Sequence, residues 1–207
     1  IYLIKNMLEK GEAASAETVK HLDRCLSCLS CMTTCPSGVN YMHLVDEARA
    51  HVEETYRRPL FDRLMRDVLA LTMPRPALFR LSLLAAKLVS PLAPVASSFG
   101  VNRVAALLNL VPKRMPAPER FGQPGIYAAE GEKRGRVALL MGCVQSVLDP
   151  GINAATIRLI TRLGYEVVVS GEESCCGSLT HHMGKEQDAL ARARRSVDQW
   201  TKADVEA

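Results

Sequence analysis

The sequence predicts an α+β fold of more than one domain, helical in its first half and α/β with a parallel sheet at its end. Three observations predict this class. Apolar residues recur at helical spacing up to about residue 111, prolines and glycines crowd the stretch that follows, and strand and helix patterns alternate beyond it. The chain has 207 residues and is 48% apolar, enough to bury the core of one large domain or two small ones.

The first three elements are predicted to be helices. A helix over residues 1–10 ends at Gly11, and its predicted apolar face holds Tyr2, Leu3, Met7 and Leu8. Ser15 is placed to cap a second helix, over 16–24, with Val19 and Leu22 toward the core. A third helix is predicted over 41–57, with apolar positions at Met42, Val45, Ala48 and Val52.

Prolines divide the middle of the chain into short helices, because proline is tolerated at a helix start but not in its interior. The predicted helices cover 60–71, 77–89 and 101–111. The longest uncharged run of this middle part, 88–102, has fifteen residues and contains Pro91, Pro94 and Gly100. A bilayer of about 30 Å needs a longer segment, so no transmembrane helix is predicted.

The middle of the chain is also basic. From Arg57 to Arg120 there are eleven basic and three acidic residues, a net charge of +8, whereas the whole chain carries +4. Two interpretations stay open: these helices lie on an anionic membrane surface, or they pack within the protein with their arginines in water. Nucleic-acid binding is not predicted, because the basic stretch lacks interleaved aromatic residues.

The last part of the chain changes character after residue 111. Prolines and basic residues crowd 112–124, which predicts a linker over 112–135. A strand over 137–141, a helix from Pro150 to Leu163, a strand over 165–169 and a helix over 185–202 follow, the last with Leu190, Val197 and Trp200 facing inward. This order predicts a parallel sheet whose ligands gather at the carboxyl ends of its strands. The predicted domains are 1–58, a helical segment 59–111, the linker 112–135, and an α/β domain 136–207.

Four cysteines close together carry the strongest chemical signal. Cys25, Cys28, Cys31 and Cys35, followed by Pro36, give the spacing C-x-x-C-x-x-C-x-x-x-C-P, by which bacterial ferredoxins hold [4Fe–4S] clusters. The two-residue gaps let three thiolates turn inward around one cluster. The cysteine before the proline ligates the other cluster in two-cluster ferredoxins, so one motif implies a second, and none is present in this sequence.

Two alternative roles for these cysteines are a zinc site and disulfide bonds. A four-thiolate zinc site usually takes two cysteine pairs separated by a longer loop. Disulfides need an oxidising compartment, and the chain has seven cysteines, an odd number, with no signal peptide in view.

A second cysteine constellation lies in the α/β part. Cys143 follows the first predicted strand, and Cys175 and Cys176 follow the second, after thirty-one intervening residues. Adjacent cysteines at one strand end, with a third at the neighbouring strand end, favour metal ligation over packed thiols, which is the alternative reading. Further candidates near these strand ends are His181 and His182, as cluster donors, ligands or ordinary loop residues, and Asp149, Asn153 and Glu172, as polar partners.

The chain resembles the family of glycolate oxidase (glycolate dehydrogenase) iron–sulfur subunits. The resemblance rests on CLSCLSCMTTCPSG, on IYLIKNMLE before it, and on GCVQSVLDPGINAATIRLITRLGYEVVVSGEESCCG, which looks like the opening of a cysteine-rich CCG domain. Members of that family are longer at both ends, with an upstream motif of the same spacing and a second CCG domain. Because this chain also opens at Ile1 within a predicted helix, it is expected to be a fragment.

The resemblance implies an electron-transfer subunit built from a helical ferredoxin-like two-cluster domain and an incomplete CCG domain. Glycolate would be oxidised to glyoxylate at the FAD of a partner subunit, and this subunit, with no catalytic residue of its own, would pass electrons to a membrane-associated acceptor. Cys25, Cys28 and Cys31 would bind one [4Fe–4S] cluster with a cysteine of the missing motif, and Cys35 would complete the other. The three later cysteines match CCG ligands of a further iron–sulfur cluster or of zinc.

The expected location is the cytoplasm, with peripheral association at the cytoplasmic face of the membrane. Three alternatives remain. One is an iron–sulfur subunit of the same architecture that serves a lactate or an anaerobic glycerol-3-phosphate dehydrogenase. The second is a catalyst that acts at the CCG site as heterodisulfide reductases do, and the third is a zinc module without redox chemistry. No Walker or dinucleotide-binding glycine motif is present in the sequence.

Overall fold

The computed structural model describes residues 1–98, 101–117, 119, 121–171 and 175–205. Within these ranges the chain is mostly helical and has one small sheet of three strands. The helices are α1 Tyr2–Lys10, α2 Ala16–Asp23, α3 Ser30–Thr33, α4 Tyr41–Thr55, α5 Leu60–Thr72, α6 Pro76–Val89, α7 Ala93–Ser98, α8 Asn102–Asn109, α9 Gln145–Leu148, α10 Pro150–Arg162, α11 Ser178–His182 and α12 Glu186–Lys202. The strands are β1 Gly125–Tyr127, β2 Gly135–Ala138 and β3 Tyr165–Val169, and a 3-10 helix covers Ser90–Leu92.

The chain divides into two compact units. The first unit consists of Ile1–Val68 and Gly177–Arg192, and the second of Leu69–Cys176 and Ala193–Ala207. This division does not coincide with the predicted boundaries at residues 58, 111 and 135. Residues 177–192, which the sequence assigned to an α/β domain, pack with the N-terminal helices instead.

The core of the first unit lies between α1, α2 and α4. Ser15 caps α2 as predicted, since the Thr18 N–H donates to Ser15 Oγ at 3.2 Å. The buried apolar side chains of this core are Ile4, Met7, Ala14, Val19, Leu22, Val45, Ala48 and Val52. Three predicted core positions are wrong: Tyr2, Leu3 and Met42 are exposed. Helix α1 instead buries Ile4 and Met7, which lie one turn apart on the same face.

Residues 177–192 are tied to the rest of the first unit by polar contacts. Lys185 Nζ lies 2.8 Å from Asp67 Oδ1 and 3.3 Å from Glu53 Oε1. Arg66 Nη2 donates to the Met183 carbonyl at 2.7 Å. Gly184, in the left-handed region at φ +78°, lies so close to the main chain of α4 that an added Cβ would collide with a carbonyl group there. This segment therefore packs against α4 and α5 at close range.

The sheet of the second unit has the strand order β1-β3-β2. Strands β2 and β3 are parallel, as predicted, with Val137 opposite Val167. Strand β1 pairs with β3 in the antiparallel direction, so the sheet is mixed and the prediction of a parallel sheet is wrong for this edge. The sequence missed β1 because it has only three residues and lies in the stretch read as a linker. Ile157 of α10 packs with Val167 and Val169 in the core.

Helix α12 has the predicted position but a different inward face. Leu190 and Val197 are 41% and 57% exposed, whereas the buried positions are Ala189, Arg192 and Ser196. These three positions follow a helical period of three and four residues. The prediction followed the largest apolar side chains, but the helix buries the small residues Ala189 and Ser196 together with the long side chain of Arg192.

The sequence predicts that prolines separate the helices in this part of the chain, but the helical stretch from α6 to α7 is not interrupted. Pro91 is the second residue of the 3-10 helix and Pro94 the second residue of α7, in first turns where proline is tolerated. The resulting stretch, Pro76–Ser98, has 23 residues and a mean hydropathy of 1.5, and 11% of its most apolar window is buried. By length and composition alone it can cross a membrane. The prediction that no such stretch exists is corrected, because it counted only uncharged residues and so stopped at Lys87.

The close packing of Gly184 leads to a stability prediction. Gly184→Ala is expected to lower the free energy of unfolding by about 1–2 kcal/mol for the left-handed backbone and by about 1–3 kcal/mol more for the collision with α4. Gly11→Ala is the matched control, because Gly11 is also left-handed, at φ +61°, but an added Cβ meets no atom within 4 Å. Urea unfolding followed by circular dichroism measures both, and equal losses would contradict the packing described here.

Candidate functional site

The first four cysteines lie on a loop between α2 and α4, residues 25–35, here called the cysteine loop. Ser27 and Leu29 adopt left-handed backbone conformations, at φ +52° and +58°. Such values are uncommon for residues other than glycine. The short helix α3 starts directly after Leu29. Each two-residue gap between the first three cysteines therefore contains one residue in the left-handed region.

The thiols of the cysteine loop differ in exposure. Cys25 and Cys35 are half-buried, whereas Cys28 and Cys31 are exposed. The half-buried side of the loop packs against the core of the first unit through Cys25. The loop thus has two exposed and two half-buried cysteines, and of the half-buried pair Cys25 packs against the core.

Backbone N–H groups favour the thiolate form of two of these cysteines. Hydrogen bonds from Ser30, above all from its backbone, lower the pKa of Cys28. Backbone hydrogen bonds from Val39 and Ser37 lower the pKa of Cys35. Because the thiolate is the form of cysteine that binds metals, these amides favour ligation.

Two residues of α4 contact the cysteine loop, and the sequence analysis did not identify them. Arg49 donates from Nη2 to the Cys25 carbonyl at 2.8 Å and from Nη1 to Ser27 Oγ at 2.7 Å. The Tyr41 hydroxyl hydrogen-bonds to the Cys25 thiol, and burial first, then the charge of Cys25, raises the pKa of Tyr41. The sequence feature that could have identified Arg49 is its place directly after the core position Ala48, on a helix expected to lie next to the cysteines.

The second constellation brings Cys143 and Cys175 together. Both follow the carboxyl ends of the parallel strands β2 and β3, as the sequence predicted for this edge. A side-chain hydrogen bond with Cys175, followed by burial, raises the pKa of Cys143 well above the ordinary thiol value. Cys175 is 5% exposed, and Cys176 is half-buried.

The polar candidates near these strand ends have structural contacts. Asn153 is buried and donates from Nδ2 to the Met141 carbonyl at 2.8 Å, while Gln145 Nε2 donates to Asn153 Oδ1. These bonds fix the turn that leads from β2 to Cys143. Asp149 precedes α10 without a side-chain cap bond. Glu172 lies outside the described residues.

The two predicted histidines face a carboxylate of α4. His181 Nε2 lies 3.2 Å from Asp46 Oδ2, and His182 Nδ1 lies 3.4 Å from Asp46 Oδ1. Asp46 Oδ1 lies 3.9 Å from Arg49 Nη1. The histidines are thus neighbours of the arginine that contacts the cysteine loop, within the first unit.

The donor set fits iron or zinc by its chemistry. All seven cysteines lie in the described ranges, and none of them forms a disulfide. Thiolates are the ligands of [4Fe–4S] clusters and of structural zinc. Among the described residues, no three His, Cys, Asp or Glu side chains converge on a point where a metal ion would bind. The residues therefore supply suitable donors, spread along the cysteine loop and paired at Cys143 and Cys175.

Comparisons with known proteins agree with this donor set. Residues 137–207 match the family model of a cysteine-rich domain, CCG. The glycolate oxidase iron-sulfur subunit of Escherichia coli (strain K12) is 40% identical over 97% of this chain and 45% of that protein. The probable glycolate oxidase iron-sulfur subunit of Bacillus subtilis (strain 168) is 28% identical over 100% of this chain and 48% of that protein. No solved structure matches.

A shorter match joins the chain to lactate utilization protein A of an Exiguobacterium species, 31% identical over 34% of this chain and 29% of that protein. The chain spans about half the length, 45% and 48%, of the two glycolate oxidase relatives. These findings confirm the resemblance to the glycolate oxidase iron–sulfur subunits, and the similarity to the cysteine-rich CCG domain is confined to residues 137–207.

The contact between Cys143 and Cys175 leads to a pH prediction for the metal-free chain. Because Cys175 is the main cause of the raised pKa of Cys143, Cys175→Ala should lower that pKa, so that Cys143 becomes a thiolate at lower pH. Iodoacetamide reacts with the thiolate, and mass spectrometry across pH 6–11 gives the pH of half-maximal alkylation at each cysteine.

The midpoint reports the pKa of Cys143, and because burial also raises that pKa, a control for added exposure is needed. Cys176→Ala, which removes the neighbouring thiol, should leave the Cys143 midpoint in place. In the same samples, Cys28 should titrate below the ordinary value of 9.0. A Cys143 midpoint that Cys175→Ala does not lower would contradict the contact.

Proposed function

We propose that this chain is part of an iron–sulfur electron-transfer subunit of a glycolate-oxidising complex. The observation that carries the proposal is the cysteine loop, in a chain similar over nearly its whole length to proteins named glycolate oxidase iron-sulfur subunit. In the proposed complex, glycolate loses two electrons and two protons to the FAD of a partner subunit and becomes glyoxylate. This chain receives the electrons and passes them to a membrane-associated acceptor.

The proposed cluster ligands are the thiolates of the cysteine loop. Cys25, Cys28 and Cys31 hold one [4Fe–4S] cluster with a cysteine outside this chain, and Cys35 reaches the other cluster of a helical ferredoxin-like two-cluster domain. When bound, each cluster accepts and releases one electron at a time. The backbone amides that lower the pKa values of Cys28 and Cys35 support this assignment, since ligation needs the thiolate.

The proposed second metal site is built on Cys143, Cys175 and Cys176. The contact between Cys143 and Cys175 supports it, and the CCG match covers all three residues. A further iron–sulfur cluster and zinc both suit a thiolate set of this kind. The protein's part is to hold these thiols at the carboxyl ends of β2 and β3.

A lactate-oxidising complex is the second candidate. The lactate utilization proteins match about a third of this chain, which supports a shared cysteine-rich module more than a shared substrate. An iron–sulfur subunit of either complex makes the same use of the cysteine loop. The flavin-containing partner decides between the two substrates.

Peripheral membrane association at the cytoplasmic face is proposed from the surface of α6 and α7. Leu81, Leu88 and Leu92 are 62%, 83% and 57% exposed on this stretch. Basic residues accompany them, with Arg75 directly before α6 and Lys87 in its last turn. An apolar face beside basic side chains suits the interface of an anionic bilayer.

The glycolate proposal is tested on the native complex, isolated without oxygen through an affinity tag on this chain. Glycolate should bleach the flavin and produce the electron paramagnetic resonance signal of reduced [4Fe–4S] clusters, because the clusters take electrons from the flavin. Lactate and glycerol 3-phosphate, added separately, test the alternatives. Zinc without iron and sulfide in the complex would contradict the electron-transfer function. Reduction of the flavin and the clusters by lactate, but not by glycolate, would identify lactate as the substrate.

Two variants of the same complex test the ligand assignment. Cys28→Ser should remove the signal of the cluster held by Cys25, Cys28 and Cys31. Cys35→Ser should primarily affect the other cluster, because that residue reaches across to it. If both variants lose the same signal and keep the same remaining one, the assignment is wrong.

Membrane association is tested by flotation of the complex with vesicles that contain phosphatidylserine. Each basic side chain near the surface contributes roughly 1 kcal/mol, so Arg75→Gln with Lys87→Gln should weaken binding about thirtyfold at low salt. Added salt should weaken the binding of the wild type, because the Debye length falls from about 10 Å at 0.1 M to about 3 Å at 1 M. Lys5→Gln with Lys10→Gln, which removes the same charge from α1, is the control. Binding that survives 1 M salt and alkaline carbonate would indicate a membrane-spanning segment instead.

A further inference from the structure

One side chain, Arg49, contacts the cysteine loop at two points. Its guanidinium donates to the Cys25 carbonyl and to Ser27 Oγ, so the two hydrogen bonds span the residues on either side of Leu26. Ser27 is one of the two left-handed residues of the loop. The arginine therefore binds the loop at a residue whose backbone conformation is unfavourable without support.

The position of Arg49 is itself fixed by its surroundings. Its side chain is 12% exposed and Asp46, one turn earlier on α4, lies 3.9 Å away and is 15% exposed. His181 and His182 close the other side of Asp46. Gly184 packs against the Arg49 carbonyl on the main chain of α4. A half-buried guanidinium with a carboxylate beside it has little freedom to leave the loop.

Cys25 is held at its sulfur as well as at its carbonyl. The Tyr41 hydroxyl, from the first turn of the same helix, hydrogen-bonds to the Cys25 thiol. Cys25 and Tyr41 both pack against the core of the first unit. Helix α4 thus contacts the first ligand cysteine at both ends of the residue.

We propose that Arg49 is the positioning residue of the cysteine loop, holding the segment between Cys25 and Cys28 in the conformation that binds a cluster. The inference rests on the proposed cluster ligation by these cysteines. Arg49 acts through the loop and does not touch the metal. Its fork of N–H groups serves the carbonyl and the hydroxyl together, which a lysine ammonium at the same place does with poorer geometry. If these cysteines hold a cluster, the positive charge of Arg49 would favour the reduced, more negative state and so raise the reduction potential.

The first measurement uses the metal-free chain, so that it does not depend on the cluster. Hydrogen exchange followed by mass spectrometry compares the wild type, Arg49→Met, Arg49→Lys and Arg57→Met. Arg49→Met should speed exchange in the peptide that covers residues 25–28 at least about tenfold, the size expected for the loss of hydrogen bonds to a charged group. Arg57→Met removes the same charge from an exposed position of the same unit and should leave that peptide unchanged.

The second measurement is a redox titration of the native complex, followed by the resonance signal of the cluster that Cys25 ligates. Arg49→Met should shift its midpoint potential to more negative values, and Arg49→Lys, which keeps the charge, should restore the potential. Tyr41→Phe should also shift it to more negative values, because hydrogen bonds to sulfur raise cluster potentials. Release of iron to a chelator should be about tenfold faster in both Arg49 variants, because neither keeps the fork.

The outcomes separate this inference from the function it rests on. Unchanged exchange at residues 25–28 in Arg49→Met overturns the inference, whether or not the wild type holds iron. A potential that Arg49→Met lowers and Arg49→Lys does not restore overturns the role of its charge. A wild type without iron and sulfide overturns the proposed function. In that case the exchange measurement still shows whether the hydrogen bonds of Arg49 hold the cysteine loop.

Discussion

The close packing around helix α4 is the constraint on which the first unit depends. One face of this helix buries Val45, Ala48 and Val52 in the core. The side chain of Arg49 reaches the cysteine loop, and Gly184 lies against the Arg49 carbonyl. Because the same turn of α4 serves the core, the loop and residues 177–192, a shift of this helix would disturb all three. The position of the cysteine loop, which carries the proposed cluster ligands, is therefore fixed by the same helix that forms the core.

Half-buried ion pairs accompany this packing. They keep each buried charge next to a charge of opposite sign. Arg58 lies 2.7 Å from Asp23, and Arg66 lies 3.5 Å from Glu53, which also faces Lys185. Such pairs add little net stability over apolar side chains of the same shape, because both partners lose water on burial. Loss of one partner is costly, since it leaves the other charge buried alone. The network thus acts mainly against wrong arrangements of α4, α5 and residues 177–192.

Local patterns were predictable from the sequence, as was the meeting of Cys143 and Cys175 at one sheet edge, but the contacts of α12 and Arg49 with distant segments were not. The cap at Ser15 and the end of α10 before Gly164 follow from residues next to each other, so they could be read directly. The burial of Ala189, Arg192 and Ser196 on α12, in place of Leu190, depends on which segment packs there, and the sequence carries no simple sign of it. The contact of Arg49 with Ser27 joins residues 22 positions apart and has the same origin. Only the spacing of the cysteines pointed to the site, because ligand geometry constrains the sequence directly.

The two cysteine sites differ in how readily their thiols lose the protons that a metal must displace. Hydrogen bonds, above all from the backbone of Ser30, lower the pKa of Cys28, so its thiol loses its proton more readily than an ordinary cysteine does. Cys143 shares a hydrogen bond with Cys175 in a half-buried place, and its pKa is raised. Metal binding displaces thiol protons, so a raised thiol pKa makes metal affinity fall more steeply as the pH falls. The cysteine loop is thus prepared for ligation by its own backbone, whereas the paired thiols at the sheet edge depend on the metal to replace the proton that they share.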